Sequence, residues 1–186
     1  MFDVNPLITK AHAASRAAGW WTDLQTGNPI NPRRVAAEKI ALAHSEVSEA
    51  AEAYWTDSMD DTLPHRLGLG VEVADAAMRL ADLIGALYPD RAFPVERIPR
   101  CGDSIVEQLM FVNVSISNAL ELLRKGQDAG HALLAALRAT LSVNYSPLGN
   151  GPVLDIIGAI DEKMAFNARR ADHKPESRLA AGGKAF

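Results

Sequence analysis

The sequence predicts an all-α protein. Hydrophobic residues make up 48% of the chain, close to the average for globular domains, so a packed core is expected. Apolar residues recur at spacings of three and four, the period of an amphipathic helix, and strand signals are weak. The length of 186 residues suits one domain. We assign this domain to residues 1–174 and a C-terminal tail to residues 175–186.

The first two helices share one start signal, an asparagine followed by a proline. Asn5 is the expected N-cap of the first helix, which should end near Gly19. Asn31 is the expected N-cap of the second helix, which should run to about Trp55. A loop is expected between the two helices.

Four further helices are separated by polar or proline-rich segments. They are expected at about residues 71–88, from residues 103 and 104 to Gly126, at about 129–143 and at about 153–170. Residues 173–186 show no helical period, and this end of the chain is expected to be a loop or an arm.

The bulk charge and the cysteine content limit the function. A net charge of −4 and a pI near 5.7 argue against a protein built to bind nucleic acid. The single cysteine excludes an internal disulfide and fits a reducing compartment. No apolar run approaches the roughly 20 residues that a membrane span needs. We therefore expect a cytoplasmic protein that binds neither nucleic acid nor membrane.

A faint internal repeat relates residues 37–53 to residues 106–122, and the apolar positions of the two segments match. Glu46 and Glu49 align with uncharged residues of the second segment. Helical periodicity also produces matches of this strength by chance, so duplication and coincidence both stay open. The expected fold is a helical bundle with a four-helix catalytic core, and duplication would add that it contains two related helical hairpins, of which only the first keeps its carboxylates.

Two predicted helices each carry a pair of acids three residues apart. On the second helix, Glu46 lies roughly 80° and Glu49 roughly 140° from the centre of the apolar stripe. On the third helix, Glu72 lies roughly 100° and Asp75 roughly 160° from the centre of the corresponding stripe. Two antiparallel helices packed through these stripes could therefore bring the pairs face to face. Glu52 falls nearly opposite the first stripe. The stripes comprise Ala36, Ile40, Ala43, Val47, Ala50 and Tyr54 on the second helix, and Val73, Ala76, Ala77, Leu80, Ile84 and Leu87 on the third.

Two interpretations of these acids are open. Alanine-rich helices commonly carry glutamates on their solvent side, and the acids then have no special role. Alternatively, the four carboxylates converge, in which case they need a cation, because like charges three residues apart destabilise a helix by a few tenths of a kcal/mol. Such a set of hard oxygen donors, without cysteine or a suitable histidine pair, suits Mg²⁺ or Mn²⁺ rather than zinc.

The last helix offers groups that could bind phosphate. Lys163, Asn167 and Arg170 follow one another on one side of it, and Lys174 lies just beyond its expected end. Lysine and arginine both suit phosphate oxygens. Alternatively, these cations only complement the dipole at the C-terminus of the helix.

Three segments together resemble a known family. They are "EKIALAHSEVSEAAEA", "EVADAAMRLADL" and "KMAFNARRADHK". In this order they resemble the all-α nucleoside triphosphate pyrophosphatases, the MazG-like superfamily that includes the dimeric dUTPases. The similarity spans about residues 10–174 and is greatest to the phage and bacterial dATP/dGTP pyrophosphohydrolases. An ExxE motif alone is weak, whereas the ordered set is moderately specific.

The resemblance implies a Mg²⁺-dependent enzyme that cleaves a nucleoside triphosphate, dGTP or dATP in the first instance, to the monophosphate and pyrophosphate. It implies a homo-oligomer, a dimer or a tetramer. By resemblance the metal ligands are Glu46, Glu49, Glu72 and Asp75, with Glu49 also orienting the attacking water as a base, and the phosphate contacts are Lys163, Asn167, Arg170 and Lys174.

Two pairs of residues are candidates for contact with the nucleobase. Trp20 and Trp21 could stack on a base, or they could be core or edge residues, and Asn144 and Tyr145 precede a proline turn from which they could reach a ligand. Two rival functions stay open. One is a related enzyme acting on dUTP or a damaged nucleotide, and the other is a helical interaction module whose acidic faces bind a basic partner.

Overall fold

The computed structural model describes residues 1–98, 101–143 and 154–180, and this part of the chain is all-helical, as the sequence predicts. Pairing between extended segments is confined to isolated bridges, such as Met59 with Leu67. The helices are α1 (Asn5–Ala17), α2 (Pro32–Thr56), α3 (Gly68–Leu87), α4 (Ile105–Arg124), α5 (Gly130–Leu141), α6 (Ile156–Asn167) and α7 (Pro175–Leu179), with a 3₁₀ turn at Ala171–His173. None of the helices in the described ranges has the length and apolarity that a membrane crossing requires.

Helix α3 lies at the centre and packs against α1, α2, α5 and α6. Fourteen of its 20 residues are buried, which explains why its sequence is apolar on nearly every side. Many of these residues are alanine or glycine, so the neighbouring helices approach closely. Any side chain that α3 directs between two neighbours therefore enters a region of low water content.

Helices α2 and α3 form an antiparallel hairpin with a definite register. The Ser58 carbonyl oxygen accepts from the Gly68 amide at 2.8 Å, and a Cβ at Gly68 would lie 3.0 Å from that of Ala53. Seven residues farther into each helix, the same register places Glu46 beside Asp75. The predicted stripes are buried except at their last positions, where Tyr54 is 44% exposed and Leu87 is partly buried. Ala53 takes the place predicted for Tyr54 because only a methyl group fits against Gly68.

A second hairpin, α4 and α5, packs on the first, so that α2–α5 form a four-helix arrangement. A hydrogen bond of 2.8 Å joins His44 on α2 to Asn113 on α4. These two residues occupy equivalent positions in the alignment of residues 37–53 with residues 106–122. Equivalent residues meet in this way at the axis of a twofold-related pair, so the contact agrees with a duplicated hairpin.

Two of the predicted helix starts are confirmed by their capping hydrogen bonds. The Asn31 side chain accepts from the Arg33 amide, and Ser104 and Glu107 form a reciprocal capping box. The prediction for Asn5 is wrong, because α1 begins at Asn5 itself and its N-cap position lacks a side-chain bond. The Asn5 amide group instead bonds both backbone groups of Phe93, which ties the start of α1 to the connector after α3.

The remaining boundaries differ from the predictions by a few residues, and the tail differs more. Helix α3 begins at Gly68, ahead of the predicted residue 71, and α6 ends at Asn167. Residues 175–179, expected in a loop or arm, form α7, and the Arg178 guanidinium lies 3.6 Å from the centre of the Trp20 ring. A five-residue helix has too little periodicity to be recognised in sequence, and Arg178 connects this one to the end of α1 through Trp20 and the Ala18 carbonyl oxygen.

The close approach of α1 to α3 gives a testable prediction. A Cβ added at Gly85 would lie 2.6 Å from the Cβ of His12. Alanine favours a helix over glycine by about 1 kcal/mol, yet we expect Gly85→Ala to lower the free energy of unfolding by roughly 1–3 kcal/mol through overpacking. Urea denaturation measures the difference.

The matched control is Gly70→Ala on the same helix. Its added Cβ would meet Leu154 at an ordinary 3.4 Å, so this variant should be as stable as wild type or more stable. A Gly85→Ala protein as stable as Gly70→Ala would contradict the close packing of α1 on α3.

Candidate functional site

Three of the predicted carboxylates converge between α2 and α3. One oxygen from each of Glu46, Glu72 and Asp75 can be chosen so that all three lie within 4.8 Å of one another. Glu46 comes from α2 and the other two from α3, and the hairpin register brings them to one level. Glu46 is only 6% exposed, so these acids do not form an ordinary solvated face. We call these three residues the carboxylate cluster.

Two cations from different elements partly neutralise the carboxylate cluster. Arg79 Nε donates to Glu46 Oε1 at 2.5 Å, and Lys163 Nζ lies 2.9 Å from Asp75 Oδ2. Lys163 is itself buried, and its Nζ also lies 3.7 Å from Asp60. Glu72 makes no ion pair with any residue in the described ranges. The cluster therefore has no direct counter-charge at Glu72.

Asp60 is a buried acid that sequence reasoning missed. It lies in the loop between α2 and α3, where its Oδ1 accepts from the amides of Thr62 and Leu63 and from the Thr62 hydroxyl. These bonds, together with Lys163, hold its pKa below the ordinary value although burial opposes this. Asp60 is thus a fixed anion that helps to hold Lys163 against the carboxylate cluster.

Burial and mutual repulsion strongly raise the pKa values of two acids of the cluster. Burial, followed by the charges of Asp75 and Glu46, raises the pKa of Glu72 to about 8. Burial also raises the pKa of Asp75 to about 6, against the opposing attraction of Lys163. The nearby carboxylates raise the pKa of Lys163 although its burial disfavours the charge. A further positive charge at the cluster would therefore be bound favourably.

The donor set fits a hard divalent cation. All ligand atoms of the cluster are carboxylate oxygens, which Mg²⁺ and Mn²⁺ prefer, and the cluster contains neither histidine nor cysteine. The elevated pKa values have the same origin, because a site that attracts protons also attracts metal ions. The residues therefore fit the metal that the family resemblance implies.

A cleft of about 810 Å³ opens beside the carboxylate cluster. This volume lies within the usual range for small-molecule sites. Helices α1, α2, α3 and α6 and the segment after α6 supply its walls. Glu46, Asp75 and Arg79 line its acidic end, and Ala11, Ala14, Ala17, Ala18, Trp20 and Lys39 are among the residues that line the rest.

The residues expected to bind phosphate reach the cleft in different ways. Asn167, Arg170 and Lys174 line it, whereas Lys163 lies behind it in contact with Asp75. The Oδ1 atom of Asn167 is buried and has no hydrogen-bond partner among the described residues. Arg170 forms a two-pronged ion pair with Asp172. A ligand that donates a hydrogen bond could therefore satisfy Asn167 Oδ1, and an anionic group could compete with Asp172 for Arg170.

Glu49 does not join the carboxylate cluster. Its side chain is exposed at the cleft, one helical turn beyond Glu46, and accepts from the Ser45 hydroxyl at 2.9 Å. The bond from Ser45 uses one of the Glu49 carboxylate oxygens, Oε1. Glu52 lies on the exposed face, as its angular position predicts.

The residues expected near the base are divided between core and cleft. Trp21 is 7% exposed, and its Nε1 donates to Asp82 at 2.7 Å, so it is a core residue with a satisfied donor. Trp20 lines the cleft, although Arg178 covers one face of its ring. Asn144 and Tyr145 lie outside the described residues.

A polar set deeper in the cleft was not recognised as functional from sequence. Asp82 on α3 is 9% exposed and accepts from Ser15 and Trp21. Lys39 on α2 lies over the two tryptophan rings. The spacing in the sequence could have indicated these two residues. Lys39 lies seven residues from Glu46 and Asp82 lies seven residues from Asp75, so each shares a helix face with a member of the carboxylate cluster.

No family model, no curated protein and no solved structure matches the chain.

The elevated pKa values give a prediction about pH and stability. An acid whose folded pKa exceeds its unfolded value stabilises the fold at low pH, and this contribution is lost as pH rises through the folded pKa. For Glu72 the loss falls between about pH 4.5 and 8. We therefore expect the metal-free protein to melt at a lower temperature at pH 8 than at pH 6. Thermal melting in a chelator measures this fall.

The Glu72→Gln variant tests whether Glu72 causes the fall in melting temperature. It should flatten the pH dependence, whereas Glu52→Gln on the exposed face should retain the wild-type fall. Parallel curves for wild type and Glu72→Gln between pH 6 and 8 would refute the buried carboxylate cluster.

Proposed function

We propose that the chain is a Mg²⁺-dependent nucleoside triphosphate pyrophosphohydrolase, which releases a nucleoside monophosphate and pyrophosphate. The convergence of Glu46, Glu72 and Asp75 at the edge of a nucleotide-sized cleft carries this proposal. The ordered ExxE, ExxD and Lys–Asn–Arg segments, which resemble the all-α pyrophosphatases, support it independently.

The carboxylate cluster would hold the metal. Magnesium, when bound, supplies positive charge and Lewis acidity to the phosphate oxygens. Arg79 and Lys163 now supply part of this charge to Glu46 and Asp75. These contacts support a preformed cluster, because the ligand carboxylates are oriented before a metal arrives.

The remaining cations and amides of the cleft would bind the triphosphate. Asn167, Arg170 and Lys174 line the side contributed by α6 and the segment after it, and they can donate to phosphate oxygens. Lys163 is close enough to the cluster to share the negative charge of the phosphates. Preorganised donors of this kind stabilise the charge that develops on the leaving pyrophosphate.

Proton transfer is the role that we assign to Glu49. It is exposed at the cleft and only one turn from the carboxylate cluster. Water would attack the α-phosphorus, the bond from that phosphorus to the α,β-bridging oxygen would break, and Glu49 would accept the proton of the water. Pyrophosphate would leave with the electron pair of the broken bond.

The two rivals differ in how well they fit. An interaction module that presents acidic faces to a basic partner needs exposed acids, whereas Glu46 is 6% exposed and Asp75 is paired with a buried lysine. A related enzyme acting on dUTP or a damaged nucleotide would use the same cluster. The choice between bases therefore rests on the rest of the cleft.

The decisive experiment offers a panel of nucleoside triphosphates with Mg²⁺ and measures pyrophosphate and orthophosphate separately. We expect pyrophosphate and the monophosphate from at least one deoxynucleotide. Glu72→Gln should lower kcat/KM at least about 100-fold, because it removes charge that the cluster needs. Glu49→Gln should abolish turnover without loss of thermal stability.

Glu52→Gln is the matched control, since Glu52 lies on the same helix but faces solvent. It should hydrolyse the substrate at nearly the wild-type rate. Release of orthophosphate instead of pyrophosphate, or no hydrolysis of any triphosphate, would rule out the proposed activity.

Metal binding can be tested without substrate. A cation that binds only the folded state at 100 times its dissociation constant stabilises the protein by about 2.7 kcal/mol. We expect the melting temperature to rise with Mg²⁺ and to rise further with a non-hydrolysable purine deoxynucleotide. Glu72→Gln should weaken the response to Mg²⁺ and leave the metal-free protein as stable as wild type or more stable, because Glu72 has no ion pair with a described residue to lose.

Glu52→Gln should respond to Mg²⁺ as wild type does. A melting temperature indifferent to tens of millimolar Mg²⁺ would favour the interaction module over the enzyme.

A further inference from the structure

The cleft has a second polar level beyond the carboxylate cluster. Lys39 precedes Glu46 by seven residues on α2, and Asp82 follows Asp75 by seven residues on α3. Seven residues are nearly two helical turns, so each pair shares a face and is separated by about 10 Å along its helix. Because the helices are antiparallel, Lys39 and Asp82 face each other at one level, and both line the cleft.

The acceptor capacity of Asp82 is largely used inside the protein. Its Oδ1 lies 2.7 Å from Trp21 Nε1 and 2.8 Å from His12 Nδ1, and its Oδ2 accepts from the Ser15 hydroxyl at 2.8 Å. A carboxylate has about four acceptor positions. Three are therefore taken, and these bonds anchor α1 on α3.

The donors of Lys39 are unused. Its ammonium carries three N–H groups, yet it makes neither a hydrogen bond nor an ion pair with any residue of the described ranges. It lies over aromatic rings instead, 5.2 Å from the centre of Trp21 and 5.8 Å from that of Trp20. Burial lowers its pKa, with the charge of Asp82 opposing. The second level thus has a surplus of donors and few vacant acceptors.

This imbalance selects among nucleobases. A 6-oxopurine such as guanine presents two adjacent acceptors, O6 and N7, on one edge, whereas adenine presents N7 and an amino donor at the corresponding position. A lysine can donate to both acceptors of guanine, which is among the commonest contacts that proteins make to this base. Adenine would place its amino group against an ammonium.

We propose that the second level binds the nucleobase and that Lys39 selects 6-oxopurines by donating to O6 and N7. This inference rests on the proposed function, which places the phosphates at the carboxylate cluster. The separation of about 10 Å along the helices lets one nucleotide span both levels. Alanines of α1, whose side chains are small, also line the cleft.

The experiment compares four deoxynucleoside triphosphates that separate the two purine substituents. The bases are guanine, hypoxanthine, adenine and 2-aminopurine, and only the first two carry the 6-oxo group. Wild type should prefer both 6-oxopurines, whether or not they carry the 2-amino group. Lys39→Met, which keeps an unbranched apolar side chain but removes the ammonium, should lower kcat/KM for the two 6-oxopurines about 10- to 100-fold, because it removes a charged hydrogen bond.

The same variant should change kcat/KM for the other two bases less than about threefold, so that the preference disappears. Lys39→Arg should restore it, since a guanidinium also donates to O6 and N7. The control is Lys125→Met, because Lys125 lies at the exposed end of α4 and pairs only with Glu121 among the described residues. It should behave as wild type toward all four bases.

The outcomes separate the two proposals. Hydrolysis of all four substrates without a 6-oxo preference, or a preference that survives Lys39→Met, overturns the role of Lys39 and leaves the pyrophosphohydrolase intact. An equal loss for all four bases with a lowered melting temperature also overturns it, since Lys39 would then act only through its packing on the tryptophans. Failure to release pyrophosphate from any triphosphate overturns the activity and this inference together.

Discussion

The register between α2 and α3 is the constraint on which the other features depend. Small residues such as Ala53 and Gly68 allow one close alignment of the two helices, and that alignment places Glu46 beside Asp75. Removing like charges from water is unfavourable unless cations accompany them. Arg79 and Lys163 supply those cations. The packing of the apolar core thus brings carboxylates together, and the two cations compensate for their repulsion only in part.

The cleft has two levels of different polarity, the carboxylate cluster and the level of Lys39. At the carboxylate cluster three acidic side chains share two cations, and at the level of Lys39 the surplus is of hydrogen-bond donors. A ligand that brings positive charge to the first level and acceptors to the second would relieve both. A magnesium nucleotide has this composition, whereas a basic peptide could satisfy only the first level. The polarity of the cleft therefore agrees with the proposed function in a way that the acidic cluster alone could not.

The elements that sequence predicts well are those governed by local rules. The Asn31 cap, the Ser104 capping box and the buried stripes depend on residues within one or two turns. The wrong predictions involve distant partners. Asn5 bonds Phe93, a residue 88 positions away, and α7 contacts Trp20 through Arg178.

The candidate site divides in the same way. Helical angles place Glu46, Glu72 and Asp75 on facing flanks, but they give no side-chain conformation, so the separation of Glu49 from the cluster was not foreseen. Asp60 was missed because it lies in a loop, where no periodicity indicates burial. Three contacts in the structure identify it. Asp60 accepts from the amides of Thr62 and Leu63, and it lies close to Lys163.

The aligned positions of the two hairpins show why the described residues contain one carboxylate cluster rather than two. In the alignment, Ser115 stands where the first hairpin has Glu46, and it is also buried. Its hydroxyl donates to the Phe111 carbonyl oxygen of its own helix at 2.8 Å, so it needs no partner from elsewhere. A glutamate there would be a buried charge that requires a cation, as Glu46 requires Arg79, so this position of α4 serves packing alone. The acids of the first hairpin meet that requirement with Arg79 and Lys163, which is why the carboxylate cluster depends on α6 as well as on its own two helices.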